Sequence, residues 1–255
     1  DSYVLLGESK ITVSPETTYL TGPLNADGTV NYTQALIDRY SKGVTPDNNA
    51  MTLLARAFGP DFLPEETRAE ILRQLGLTEE DLVAGKKYVS WRDYLEAAGL
   101  DREQIDPNGD LVEQLGRRPW AAEDHPQVAA WLADNAEPLA IISRAARRPC
   151  HYFPIVSPDD PPSLISLQLP GLVLYRNAAW ALSARATLHL ASGDIAEARA
   201  DADAIHNLAR TPSPYLIWHL VNIGMVKAAA NVEEAIIASD SVSPEAMRAM
   251  LADLR

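Results

Sequence analysis

One cysteine, Cys150, stands in 255 residues. A lone thiol excludes an intramolecular disulfide and a thiolate metal cluster, and redox usage therefore does not indicate a compartment. Long apolar runs are also missing. The best candidate, residues 164–175, is interrupted by Gln168 and Pro170 and falls short of the roughly 18 residues a membrane-spanning helix needs. Basic residues are scarce, with 22 Lys and Arg against 35 Asp and Glu, for a formal charge of −13. That balance argues against nucleic acid or an anionic membrane as the main partner. The short catalytic motifs are absent as well. There is no Gly-x-Ser-x-Gly, no Walker loop, no dinucleotide fingerprint and no HExxH.

What is abundant is alanine and leucine at helical spacing. Residues 172–191 contain no Gly or Pro and are apolar on nearly every face, which predicts a helix buried on most sides. Ser192-Gly193-Asp194 then supplies a left-handed stop and a cap for a second helix, whose Ala196, Ala198, Ala202 and Ile205 form a small-residue stripe. Pro212 and Pro214 end that helix, and residues 215–230 begin a third with Leu216, Leu220, Ile223 and Val226. The hairpin resembles a tetratricopeptide repeat, with Ala186, Gly193 and Ala198 where that repeat has small residues. Leu182 and Ala202 stand in place of its aromatics, and no second copy follows at a period of about 34 residues, so a single degenerate hairpin is expected.

Upstream, caps and glycine stops divide the chain into short helices. They are predicted over 32–41, 46–58 behind Thr45, 64–75, 78–84 and 90–98, followed by a turn-rich stretch over 101–119. A longer helix is predicted over 126–148, kinked or divided by Pro138. The six prolines of 149–170 mark a linker with enough apolar residues to be packed down. The expected fold class is all-α, an irregular helical array ending in tetratricopeptide-like hairpins. The expected organisation is an extended N-terminal arm over 1–24, a helical domain over 25–160 and a tetratricopeptide-like domain over 161–255, which can pack as one unit.

The blocks ETTYLTGPLNADGTVNYTQAL, GVTPDNNAMTLLARAFGP, HPQVAAWLADNAEPL, ARRPCHYFPIVS and RATLHLASGDIAEARAD, in this order, resemble a family of uncharacterised planctomycete proteins. The resemblance covers most of residues 10–210. It implies an extracytoplasmic or envelope-associated setting, with a cytoplasmic one as the alternative, and it transfers no site residue.

Few constellations carry chemistry. Asn25, Asp27 and Gly28 look like the middle of a calcium loop, but Pro23 and Gln34 occupy the positions of its end ligands, so a plain turn is expected. The five histidines lack paired acids at zinc spacing, so no metal and no cofactor is expected. Arg144 and the weak ligand-binding candidates Arg147, Arg148, His151 and Tyr152 form the one basic and aromatic cluster, at a predicted helix end. Cations there are explained by the helix dipole, while two arginines beside an aromatic ring could also hold a carboxylate or a sugar. Arg185 and Asp201, each eight residues from Gly193, are expected to face one another as a structural ion pair.

Two function classes follow. The expected one is a non-enzymatic helical scaffold that binds a protein or peptide. The alternative is a hydrolase or carbohydrate-active protein whose acids converge only in three dimensions, in a cleft with carboxylates about 5 to 9.5 Å apart.

Overall fold

The computed structural model describes residues 20–159, 162, 164 and 166–239. Residues 1–19 of the expected arm, and Pro161 at the expected linker boundary, lie outside the described residues. Among the described residues the fold is mainly helical, with twelve α-helices and one 3-10 turn. Extended pairing there is limited to two isolated bridges, Leu24 to Val30 and Asn49 to Cys150.

The first half is a set of short capped helices. α1 (Tyr32–Tyr40) starts behind Asn31, whose side chain accepts from the Gln34 N–H. α2 (Ala50–Phe58) begins four residues later than the proline at 46 suggests. Reciprocal bonds between Thr45 and Asn48 close a turn there instead, and Asn49 becomes the cap. α3 (Arg68–Leu75) is likewise preceded by a turn, and ends at the left-handed Gly76. α4 (Glu79–Val83) carries a reciprocal Thr78/Asp81 capping box, and α5 (Trp91–Ala97) is capped by Ser90. The turn-rich stretch holds two short helices, α6 (Arg102–Ile105) and α7 (Leu111–Leu115).

The expected long helix is two, α8 (Pro126–Asp134) and α9 (Ala136–Ala146). They divide at Asn135 rather than at Pro138. Pro138 lies in the first turn of α9, where its missing N–H would have had no helical partner. Asn135 instead grips a neighbouring segment. Its Oδ1 accepts from Val89 N–H at 2.9 Å, and its Nδ2 donates to the Trp131 carbonyl at 3.0 Å.

α10 (Leu172–Ala191) and α11 (Ile195–Ala209) form the hairpin, and α12 (Leu216–Ala238) packs against both. Gly193 sits at φ 82°, donating to the Leu190 carbonyl, while Asp194 N–H reaches back to the His189 carbonyl at 2.9 Å. Both orphan carbonyls are thus satisfied at the one place where the chain must turn left-handed. The Asp194 side chain then caps α11 through Glu197 N–H.

α10 is the axis of the molecule, contacting α7, α9, α11 and α12. Several of its polar groups find partners inside. Thr187 Oγ1 donates to the Leu115 carbonyl at 2.8 Å, and Trp120 Nε1 donates to the Ala184 carbonyl at 2.9 Å. The main hydrophobic core runs from Ala50 on α2 to Ala229 on α12, and a smaller cluster joins Leu190, Ala198, Val232 and Ile236 at the hairpin's far end. α12 buries Trp218, Met225, Ala229 and Val232 and turns Leu216, Leu220 and Ile223 outward.

Across the hairpin, Arg185 and Asp201 meet in a two-pronged pair. Nε lies 2.9 Å from Oδ2 and Nη2 lies 2.6 Å from Oδ1. The Arg185 and Asp201 side chains are 19% and 5% exposed. Burial pushes the Asp201 carboxyl above its ordinary range, against the opposing hydrogen bonds and charge of Arg185. Desolvation therefore offsets much of the attraction, and the pair's main effect is on register. Arg185→Ala leaves Asp201 uncompensated and should destabilise the protein by about 3–5 kcal/mol, whereas Arg185→Met with Asp201→Leu should lose much less. Urea unfolding of the two variants checks this. Equal or additive losses would show that the charges do not act as a pair.

Candidate functional site

The basic cluster is built by a long-range clamp on the segment that follows α9. Asn49, 2% exposed, accepts from both Met51 N–H and Tyr152 N–H through Oδ1, and its Nδ2 donates to the Tyr152 carbonyl at 2.8 Å. Backbone bonds on either side, Ala50 N–H to the Cys150 carbonyl and Cys150 N–H to the Asn48 carbonyl, complete the pairing. A helix cap and a cross-chain tie are thus made by one side chain.

The cluster divides into structural and outward-facing members. Arg148 Nη1 donates to the Pro46 and Asn49 carbonyls at 3.0 and 2.8 Å, so its guanidinium fastens the segment to the start of α2. Burial lowers its pKa somewhat, with the nearby Asp47 carboxylate acting the other way. Tyr152 is buried, and its hydroxyl accepts from Ile155 N–H. Arg147, which caps α9, is exposed.

His151 bridges to the hairpin. Its Nε2 lies 3.1 Å from the Arg148 carbonyl, which can only accept, so Nε2 carries a proton. Nδ1 lies 3.2 Å from Thr211 Oγ1, and that hydroxyl is 2.8 Å from the Tyr175 hydroxyl on α10. With the ring neutral, Nδ1 is an acceptor for the Thr211 hydroxyl proton, for which the Leu208 carbonyl at 2.8 Å competes. Burial pushes the His151 pKa below its ordinary 6.5, partly opposed by the backbone carbonyls of Arg148 and Ala146.

Around Arg147 the fold opens two adjoining clefts. The first, of about 400 Å³, brings Lys42 and Tyr40 from the end of α1 together with Arg147, Arg148, Asn207 and Arg210. No Asp or Glu is among the described residues that line it. The second, of about 530 Å³, lies between α9 and the hairpin and is lined by Glu137, Arg144, Arg147, His189, Glu197 and the Arg185–Asp201 pair. Asp201 is committed there to Arg185, which leaves Glu137 and Glu197 as the carboxylates available at that surface.

Lys42, Asn207 and Arg210 are the members that sequence reading missed. They are about 60 to 100 residues from the cluster in the chain, and no local pattern marks them.

The remaining sequence features stay apart. Asp27 accepts from the Thr29 N–H and hydroxyl, bonds that hold its carboxyl below the usual range and close the 25–29 turn. His125 packs on Trp120, His206 meets Glu233 at 3.0 Å, and His219 meets the Ser213 carbonyl. Among the described residues, no three His, Cys, Asp or Glu side chains are grouped to hold a metal ion. No family model, curated protein or solved structure matches this chain.

The buried His151 predicts a pH dependence. Its folded-state pKa is depressed, so the unfolded chain takes up the proton first as pH falls. The stability it contributes is present in full above its unfolded pKa of about 6.5 and is lost as pH drops below that value towards the folded pKa. The urea midpoint should fall between about pH 7.5 and pH 5.5, and His151→Gln should flatten that slope. Parallel slopes in the two proteins would show that His151 is not held neutral.

Proposed function

We propose that this protein is a non-enzymatic helical binding module that takes an acidic peptide segment of a partner protein along the basic cleft. The observation that carries the reading is the convergence of Lys42, Arg147 and Arg210, exposed and in no ion pair among the described residues, in a chain of formal charge −13. An acidic surface aids solubility, but it gives no reason to gather cations from three separate elements in one concavity. Arginine forks suit carboxylates, and the adjoining cleft continues the cationic line through Arg144, as an extended segment requires. The net charge disfavours a nucleic-acid polyanion for the same cleft. The tetratricopeptide-like hairpin supports a scaffold role, and the block resemblance supports an extracytoplasmic, envelope-associated setting.

A fluorescently labelled glutamate-rich hexapeptide tests the proposal. It should bind saturably, more weakly as salt rises, while a lysine-rich hexapeptide should not bind. Arg147→Glu with Arg210→Glu should weaken binding by at least about tenfold, since each lost charge-assisted bond contributes about 1.5–3 kcal/mol. Undiminished binding by the folded double variant would overturn the reading.

A further inference from the structure

The outer face of α12 is apolar and uncovered among the described residues. Leu216, Leu220 and Ile223, spaced four and three residues apart along one stripe, are 75%, 55% and 66% exposed, with Ile217 and Val226 on its flanks. Six of the twelve large apolar side chains exposed among the described residues belong to this one helix, so they form a patch rather than a scatter. No Asp, Glu, Lys or Arg interrupts the stretch from Leu216 to Val226. Single exposed apolar side chains are ordinary, whereas a contiguous patch marks a contact.

Gly224 adds a geometric sign. It lies on the exposed side of α12, and a side chain there would meet nothing within 4 Å among the described residues. The described fold therefore has no use for a glycine at a position where glycine weakens a helix. A second helix laid against the stripe does, because it approaches closest where a side chain is missing.

The chain's own next segment fits this face. Residues 240–255 lie outside the described residues, and their sequence sets Ser243 and Pro244, a helix-start pair, ahead of Met247, Met250, Leu251 and Leu254 at i, i+3, i+4 and i+7. Glu245, Arg248, Asp253 and Arg255 fall opposite, which is the pattern of a helix with one apolar stripe. Reach agrees with this. Ser239 leaves α12 in an extended conformation. The five steps from Ser239 to Pro244 span up to about 17 Å at about 3.3–3.6 Å each. That crosses the roughly 8–10 Å between packed helix axes and runs back about 13 Å to the level of Ala230. The twelve residues 244–255, at about 1.5 Å each, then cover about 18 Å, past Val226, Ile223 and Leu220. We propose that residues 244–255 dock antiparallel on the outer face of α12, covering its apolar stripe and ending the helical array with a polar surface. No residue of α12 lines the basic cleft, so the inference does not rest on the peptide reading.

Hydrogen peroxide footprinting of the intact chain, read by mass spectrometry, tests this, because oxidation of methionine follows its exposure. The chain has four methionines, of which Met51 and Met225 are fully buried and report that the fold persists. Met247 and Met250 should be oxidised at least about tenfold more slowly than N-acetylmethionine amide, at every protein concentration. Ile223→Asp with Val226→Asp should bring both to the free rate while Met51 and Met225 stay protected. If that variant unfolds and exposes Met51 and Met225, Leu220→Asp alone decides. The proposal is overturned if Met247 and Met250 react at the free rate in the unaltered chain, or if they stay protected in the folded variant. It is also overturned if their protection is lost on dilution together with a dimer seen by sedimentation, which would make a second copy the occupant.

Discussion

The structure depends on one nearly enclosed helix. From Tyr175 to Leu190, α10 presents buried residues on successive faces, many of them alanines, so its neighbours on every side approach closely. Enclosure leaves its polar side chains little access to water, and an unpaired one would destabilise the fold. Thr187 is therefore bonded to the end of α7, Tyr175 to the end of α11, and Arg185 to Asp201. These bonds fix which neighbour sits where, a specificity that apolar packing alone would not give.

Two clefts border the same axis directly, and the basic one is joined to it only through side-chain bonds. Asn177 and Trp180 line a small cleft beside Trp91 and Trp131, Arg185 and His189 face the mixed one between α9 and the hairpin, and Tyr175 reaches the basic segment through Thr211 and His151. The basic cleft also uses the Asn49 clamp, which together with the Cys150 backbone bonds and the Arg148 guanidinium holds the segment 150–153 against the start of α2. Binding surfaces here are the edges left where short helices meet a long one.

The hairpin was legible in the chain because its determinants are local. Gly193 supplies the positive φ, Asp194 the cap, and counting eight residues to either side leads to Arg185 and Asp201. Proline was a poorer guide. Pro46 lies in a turn before α2 and Pro138 inside the first turn of α9, while the boundaries are set by Asn49 and Asn135, whose amides bond to segments far away in sequence. The same limit applies to the site. Arg147, Arg148, His151 and Tyr152 are adjacent and conspicuous, yet packing turns Arg148 and Tyr152 to structural work and recruits Lys42 and Arg210 from other elements. Periodicity also marked α12 as apolar without showing that Leu216, Leu220 and Ile223 would face outward.

The central claim is that α10 joins the short helices and the hairpin into one cooperative core. Native-state hydrogen exchange tests it most directly. Amides of α10 and of α2 should open with the same free energy, equal to that of global unfolding and equally sensitive to denaturant. Exchange of residues 172–239 through a separate, lower-energy opening while α2 and α9 stay protected would contradict it.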